Sequence, residues 1–268
     1  MQRKNCSKKK KQVNPRCTFP SENNHKKLLY NKTMKRTLIL LLSFVVLGLF
    51  VSYYQATKTN QAEELIMAAY NGDLTAVKNA LEQGAPTEHT LSITDQARHY
   101  QNALFSLPLA AASGGNEKIL QYLIKNKINL HVANDKNWTP LFVAVRDGHG
   151  EFAAQLIENG ADINAQTDTG TTALTLAFLA DFPNEKQRLS LLEYMLKKGA
   201  DPNLQTRLNT DALFYAVTER KELTGVELLL EYKVDVCRSY NGQKIFTLTK
   251  DKKIRSLLKG AYQKQCKN

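Results

Sequence analysis

A ruler runs through this chain. Ala111, Ala144 and Ala177 stand 33 residues apart, Ala216 follows after 39 and Thr249 after another 33, and Ala68 precedes Ala111 by 43. A period of 33, interrupted by short insertions, belongs to stacked helix pairs. Each pair is too small to bury its own apolar face and covers its neighbour's. Such solenoids bind other proteins far more often than they carry out chemistry, so the period limits function class as well as fold.

Each copy carries the same local grammar, best seen in Thr139-Pro140-Leu141, Ala144, Gly148-His149, Leu156-Ile157 and Asn159-Gly160-Ala161-Asp162-Ile163-Asn164. Thr139 is placed to cap a first helix, and Pro140 fits a first turn, where a missing N–H costs nothing. Leu141 and Ala144 face inward, the small Ala letting two helices approach. Gly148 permits the tight turn between helices, Leu156 and Ile157 fill the core, and Gly160 ends the second helix in a left-handed conformation. This unit resembles the ankyrin repeat. The resemblance covers roughly residues 60–260 and implies an all-α ankyrin-repeat solenoid of about five repeats plus a C-terminal cap, preceded by one N-terminal apolar helix.

The other copies are looser. Repeat one has Leu65, Ala68-Ala69, Gly72, Leu81 and Gly84-Ala85. Repeat two has Ala111-Ala112, Gly115 and Leu123-Ile124, with Pro108 where Leu is expected and Lys127-Ile128-Asn129 in place of Gly-Ala-Asp. Repeat four has Gly170, Thr172-Ala173-Leu174, Ala177, Met195-Leu196 and Gly199-Ala200-Asp201; repeat five has Leu213, Ala216, Leu229-Leu230 and Lys233-Val234-Asp235. A half-matching unit from Gly242 to Leu258 carries Lys252, Lys253, Arg255 and Lys259, and reads as the polar cap that ends a solenoid. Ten extra residues fall within 86–106 and six within 181–188. Insertions in repeat arrays map to loops, either tolerated surface loops or part of a binding face.

Residues 38–54 read LILLLSFVVLGLFVSYY, an uncharged stretch of 17. At about 1.5 Å per residue it only just spans a hydrocarbon core of about 30 Å. Lys35 and Arg36 precede it, and Tyr53 and Tyr54 close it where an interfacial aromatic belt would lie. The text from Met34 resembles a secretory leader, but a cut after Ala56 would place Tyr54 where a small residue is wanted. An uncleaved signal anchor is therefore expected, with Met34 as a second candidate translation start. Residues 1–37 hold twelve Lys and Arg against Glu22, which is +11 of the chain's +12. A basic flank stays cytoplasmic and sends the C-terminal side across. The expected organisation is a basic disordered arm (1–37), a transmembrane anchor or signal-peptide core (38–54), an ankyrin domain (60–260) and a tail (261–268). Sparse aromatic interleaving in the arm argues against specific nucleic-acid binding.

Cys6 and Cys17 precede the apolar stretch, and Cys237 and Cys266 follow it. The latter two would meet an oxidising compartment if exported, as a disulfide or as two free thiols. The sequence holds no zinc-ligand spacing, phosphate loop, nucleophile elbow or H-E-x-x-H, so no enzyme activity, cofactor or metal is expected. His149 belongs to the Gly-His turn, Asp162 and Asp201 close repeats, and Thr139 of the Asn137-Trp138-Thr139 sequon is taken up as a cap.

In ankyrin proteins the variable finger positions and the first-helix ends usually bind. Carried over by position, these are Asp135, Lys136, Trp138, Arg146 and Asp147 in repeat three, Asp168, Thr169 and Thr171 in repeat four, and Arg207, Leu208, Thr210, Thr218 and Glu219 in repeat five. Trp138 is the chain's single Trp, a residue type enriched at binding hot spots. The expectation is a non-catalytic protein-binding module, monomeric apart from its partner, at a bacterial inner membrane with its C-terminal domain periplasmic. A short form from Met34 or a cytoplasmic long form would divide it between compartments. The layout resembles bacterial ankyrin proteins that act as immunity partners of secreted effectors such as phospholipases, which implies a neutralising or sequestering role. A scaffold for a periplasmic stress enzyme such as catalase, or a host-directed effector, are the alternatives.

Overall fold

Helix starts in this chain are written in short polar side chains. Asp73, Asn116, Thr139, Thr172, Asn184, Asp211 and Asp251 each turn a side-chain oxygen onto backbone N–H groups of the turn that follows. They satisfy donors that would otherwise stay orphaned. The helices they start are α2 (Leu74–Glu82), α4 (Glu117–Lys125), α5 (Pro140–Arg146), α7 (Ala173–Ala177), α8 (Glu185–Lys197), α9 (Ala212–Tyr215, continuing as a π-turn through Arg220) and α11 (Lys252–Gln265). Helices α1 (Glu22–Tyr70), α3 (Leu107–Gly114), α6 (Gly150–Glu158) and α10 (Leu223–Glu231) complete the set. The computed structural model describes the backbone of residues 22–97 and 100–266 and the side chains of 43–97 and 100–266.

The chain divides into two units, 1–56 and 57–268. In the second, helix pairs stack in chain order: α3 on α5, α5 on α7 and α7 on α9 in one layer, with α2, α4, α6 and α8 in the other. Leu141, Val143, Ala144, Val145, Phe152 and Leu156 are fully or almost fully buried between the layers, as are Ala111, Ala177 and Ala216 on the ruler. Small residues at these points let neighbouring repeats close. At Gly148, where φ is +78°, an added Cβ would stand 2.5 Å from the carbonyl oxygen of Asp181 in the next repeat. Glycine is needed there twice over, for its backbone angle and for the approach of the next chain segment.

The solenoid is helix-rich, as expected, but it is not purely helical. The insertion within 86–106 forms an antiparallel hairpin, β1 (Thr90–Asp95) with β2 (Tyr100–Ser106), with a register shift between Ile93 and Asp95. It is not a loose loop. Ile93, Tyr100, Ala103 and Phe105 are buried, and β2 leads directly into α3. A second, two-residue pair, β3 (Ser239–Tyr240) with β4 (Gln243–Lys244), opens the terminal unit. The insertion within 181–188 behaves differently: its second half adds length to α8, which has 13 residues against nine in α6.

In the first unit α1 runs through the apolar stretch, and Phe44, Val46, Leu47, Leu49 and Phe50 are each more than half exposed. Residues 38–42 of that stretch lie outside the described side chains, as do Cys6, Cys17, Met34 and the basic side chains of the arm. Among the described residues no helix is long and apolar enough to cross a membrane.

The C-terminal boundary lies later than the expected tail at 261. Helix α11 continues through Gln265, packing Ile254 and Leu258 into the core, and Tyr262 sits 5.3 Å edge-on from Phe246. A disulfide joins Cys237 to Cys266 across 29 residues of chain. Closing a loop of that length removes denatured-state entropy worth about 3–4 kcal/mol in the chain-entropy picture. Replacing both cysteines by serine is therefore expected to lower the unfolding free energy of the domain by about 2–4 kcal/mol. Urea titration of the double variant under oxidising conditions checks this, and a midpoint equal to the parent's would show that the terminal helix is held by packing alone.

Candidate functional site

The finger loops share one construction. In the third repeat Asn134 accepts from Trp138 N–H (2.9 Å) and Lys136 N–H (3.0 Å) through its side chain, and Asn137 takes a left-handed φ of +56°. In the fourth, Thr167 N–H donates to Thr171 C=O (3.1 Å), with Gly170 at φ +78°. In the fifth, Thr206 N–H donates to Thr210 C=O (2.8 Å), with Asn209 at φ +55°. Side-chain oxygens that mimic backbone acceptors make such turns without a regular ladder. The fingers are joined to one another by Asp168 N–H to Lys136 C=O (3.2 Å) and Arg207 N–H to Thr169 C=O (2.9 Å), and Asn134 Nδ2 reaches back to Leu104 C=O in β2 (3.2 Å). From hairpin to fifth repeat they make one continuous ridge.

A second set of joints closes each repeat. Asn129, Asp162, Asp201 and Asp235 each accept an N–H two residues on. Asn164 Oδ1 then accepts from Asp201 N–H (2.8 Å), and Asn203 Oδ1 from Asp235 N–H (2.7 Å), in the following repeat. In repeat two His131 stands at the corresponding position, with its ring beside Gly160.

At the hairpin end of the ridge lies an aromatic cluster. Tyr100 packs 4.8 Å edge-on from Phe105 and 6.0 Å from Trp138, and Trp138 stacks on Phe142 at 5.8 Å. The Arg146 guanidinium lies 4.2 Å from the Tyr100 ring centre and 4.8 Å from that of Trp138, a geometry in which ring quadrupoles attract a cation. Lys136 approaches the indole at 5.2 Å. Beneath them Asp147 accepts from the Tyr100 hydroxyl (2.8 Å) and the Ser113 hydroxyl (2.5 Å), and a ring nitrogen of His149 meets Ser113 C=O (2.9 Å). Burial raises the Asp147 carboxyl above its ordinary value, outweighing the two hydrogen bonds and the Arg146 charge that pull it down. Burial, then the nearby carboxylate, push the Tyr100 hydroxyl upward.

An open groove of about 850 Å³ crosses the other helix layer, lined by Phe152, Gln155, Glu158, Leu191 and Tyr194 among others. Among the described residues no group of three or more His, Cys, Asp or Glu is placed to hold a metal.

A family model described as ankyrin repeats in three copies matches residues 65–167 and 107–205, together more than half of the chain. The chain belongs to the ankyrin-repeat family. Similar proteins include a human ankyrin repeat and MYND domain-containing protein, 31% identical over 94 residues, which are 35% of this chain and 10% of that protein. An ankyrin repeat, SAM and basic leucine zipper domain-containing protein of Notamacropus eugenii is 33% identical over 109 residues, 41% of this chain and 22% of that protein. A putative ankyrin repeat protein of fowlpox virus (strain NVSL) is 31% identical over 134 residues, 49% of this chain and 38% of that protein. The chain thus spans well under half the length of each of these relatives. Ankyrin repeats imply a protein–protein interaction module.

The ankyrin fold sorts the residues expected to bind. Asp135, Asp168, Thr169, Arg207 and Leu208 are exposed on the fingers, Leu208 at 79%. Glu219 is exposed at the end of the π-turn, and Thr218, half-buried, donates to Phe214 C=O. Lys136, Trp138 and Arg146 are brought together, but half-buried in the aromatic cluster. Asp147 turns inward to Tyr100 and Ser113. Thr171 is half-buried, and Thr210 is buried, its hydroxyl held by Thr206 (2.6 Å) and Tyr215 (3.1 Å). Thr210 and Asp147 therefore build the ridge and do not face outward from it. Tyr100, the hub of the cluster, escaped the sequence reading because it sits in the insertion, outside the 33-residue period.

Asp147 holds its proton more readily folded than unfolded. Its contribution to stability is thus fully present below the ordinary carboxyl value of about 4 and is lost as pH rises through the raised folded value. Asp147→Asn removes that titration while keeping a polar group of the same shape. Relative to the parent, the variant is expected to gain stability as pH rises above about 4 and to level off once pH has passed the raised folded value, followed by denaturant midpoints in matched buffers. A gap that stays constant over that range would mean that Asp147 titrates as an ordinary surface carboxylate.

Proposed function

We propose that this ankyrin domain is a non-catalytic module that captures a partner protein along the finger ridge. The observation that carries the reading is the division of labour in the fingers. Their backbones and inward side chains are consumed in joining finger to finger, while Asp168, Thr169, Arg207 and Leu208 take no part in the core and stand in a row. A rigid row of this kind costs little ordering entropy on binding, and an exposed Leu beside an Arg suits the centre of a contact.

The finer reading is a domain held at an inner membrane by residues 38–54, facing the periplasm, where it neutralises its partner as an immunity protein does a secreted effector such as a phospholipase. The +11 arm before an uncharged stretch supports that topology, and the Cys237–Cys266 disulfide suits an oxidising compartment. A phosphatase reporter fused after Asn268 is expected to be active and a cytoplasmic reporter silent. The reverse pattern would end the periplasmic reading and leave the binding module standing.

The ridge itself is tested with Asp168→Lys, Arg207→Glu and Leu208→Asp combined. These side chains are exposed, so the melting temperature should stay within a few degrees of the parent's while partner capture falls at least tenfold, on the order of 1.4 kcal/mol. A control set on the outer helices, Glu151→Lys with Glu227→Lys, should capture normally. Equal loss in both sets, or in neither, would displace the site from the fingers. If the captured partner is an enzyme, inhibition by the added chain supports neutralisation, and stabilisation supports scaffolding.

A further inference from the structure

The charge of the ankyrin domain is divided along the chain. Residues 57–243 carry a net −6, while 244–268 hold eight Lys and Arg against Asp251 alone, a net +7. Five of those cations, Lys252, Lys253, Arg255, Lys259 and Lys264, lie on α11, which contains no acid, and all five are exposed. At 100° per residue they occupy the half of the helix opposite Ile254 and Leu258. Arg255 donates to Thr249 C=O, yet among the described residues none of the five enters an ion pair. A solenoid cap needs only a polar outer face, which mixed charges would supply. This one has a single sign, and among the described residues no carboxylate pairs with it.

We infer that the outer face of α11 docks on a membrane surface of anionic lipid headgroups. The grooves between α6 and α8, between α8 and α10 and around 181–188 are lined by other elements, and an open helix face suits a flat partner better than a bound peptide or a small anion. Four of the five cations are Lys, point charges without the paired donors that select one planar anion. The exposed half carries no aromatic ring on which a nucleobase would stack. The apolar half is already used in the core, so contact is peripheral and electrostatic, each cation near an anionic surface adding its increment within a Debye length. Packing of Tyr262 on Phe246 and the Cys237–Cys266 bond hold the helix in place, so the charges are presented as a fixed array. The inference stands on the cap alone and does not require residues 38–54 to span.

The test uses the full chain with Trp138→Phe and Ser256→Trp, which moves the single Trp to the middle of the cationic face. Energy transfer to a dansyl headgroup lipid is measured in phosphatidylcholine vesicles with and without phosphatidylglycerol. Flotation with the neutral vesicles scores the anchor separately. Transfer should be several-fold higher with the anionic lipid and fall in high salt. It should drop to the neutral-lipid level when Lys252, Lys253 and Lys259 are all changed to Glu, with Lys→Gln at the same positions intermediate and circular dichroism unchanged. Equal transfer with both lipids, or undiminished transfer in the Glu variant, would mean that the basic arm or the apolar stretch carries the cap passively and would overturn the inference. So would binding to polyglutamate without any lipid preference, which would assign the face to an acidic protein.

Discussion

Every repeat of this protein is completed by its neighbour. A helix pair of about thirty residues cannot bury enough apolar surface to offset the entropy of ordering itself. What makes the pairs stable is a repeated contact, in which small residues bring the helices together and short polar side chains close the gaps at either end. Asn164 and Asn203 do this beneath the helices, and the backbone bonds from Lys136 to Asp168 and from Thr169 to Arg207 do it along the fingers. Remove the neighbour and each of these groups exchanges its partner for water, while the apolar face beneath it is left uncovered.

The hairpin extends this logic in place of interrupting it. Its Tyr100 reaches the half-buried Asp147 of the third repeat with one end and supports Arg146 and Trp138 with its ring. The cation and the indole that a surface survey would assign to recognition are thereby engaged in joining the insertion to the solenoid. On the fingers beyond, the side chains of Arg207 and Leu208 are exposed and lie outside this cluster.

The period of Ala residues, the Thr139-Pro140 start and the Gly148 turn were legible because each depends on a residue type that backbone geometry demands. The finger turns were legible only at Gly170. Asn137 and Asn209 adopt the same left-handed angle, but Asn is common elsewhere for other reasons and stands out only once the repeats are aligned in space. The hairpin could not be read, since the connection Gln96-Ala97-Arg98-His99 has no Gly or Asn-Gly signal, and the alternation in β2 is short. Thr210 was misplaced for a different reason. Its burial depends on Tyr215, five residues later in the chain and visible only once the loop is folded back.

Viewed as a one-dimensional array, the solenoid has a junction with different wiring. Between repeats three and four, and between four and five, an Asn side chain couples one repeat to the next. Between two and three that position is His131, and the polar coupling passes directly from Ser113 to Asp147 and His149, and in parallel through the hairpin, from Asn134 to Leu104 and from Tyr100 to Asp147. The hairpin is then a second, parallel tie across this junction, beside the direct packing of α3 on α5. With the hairpin detached, the Ser113 bonds and the α3–α5 packing still join repeats two and three, so its loss weakens the array at this point without cutting it there.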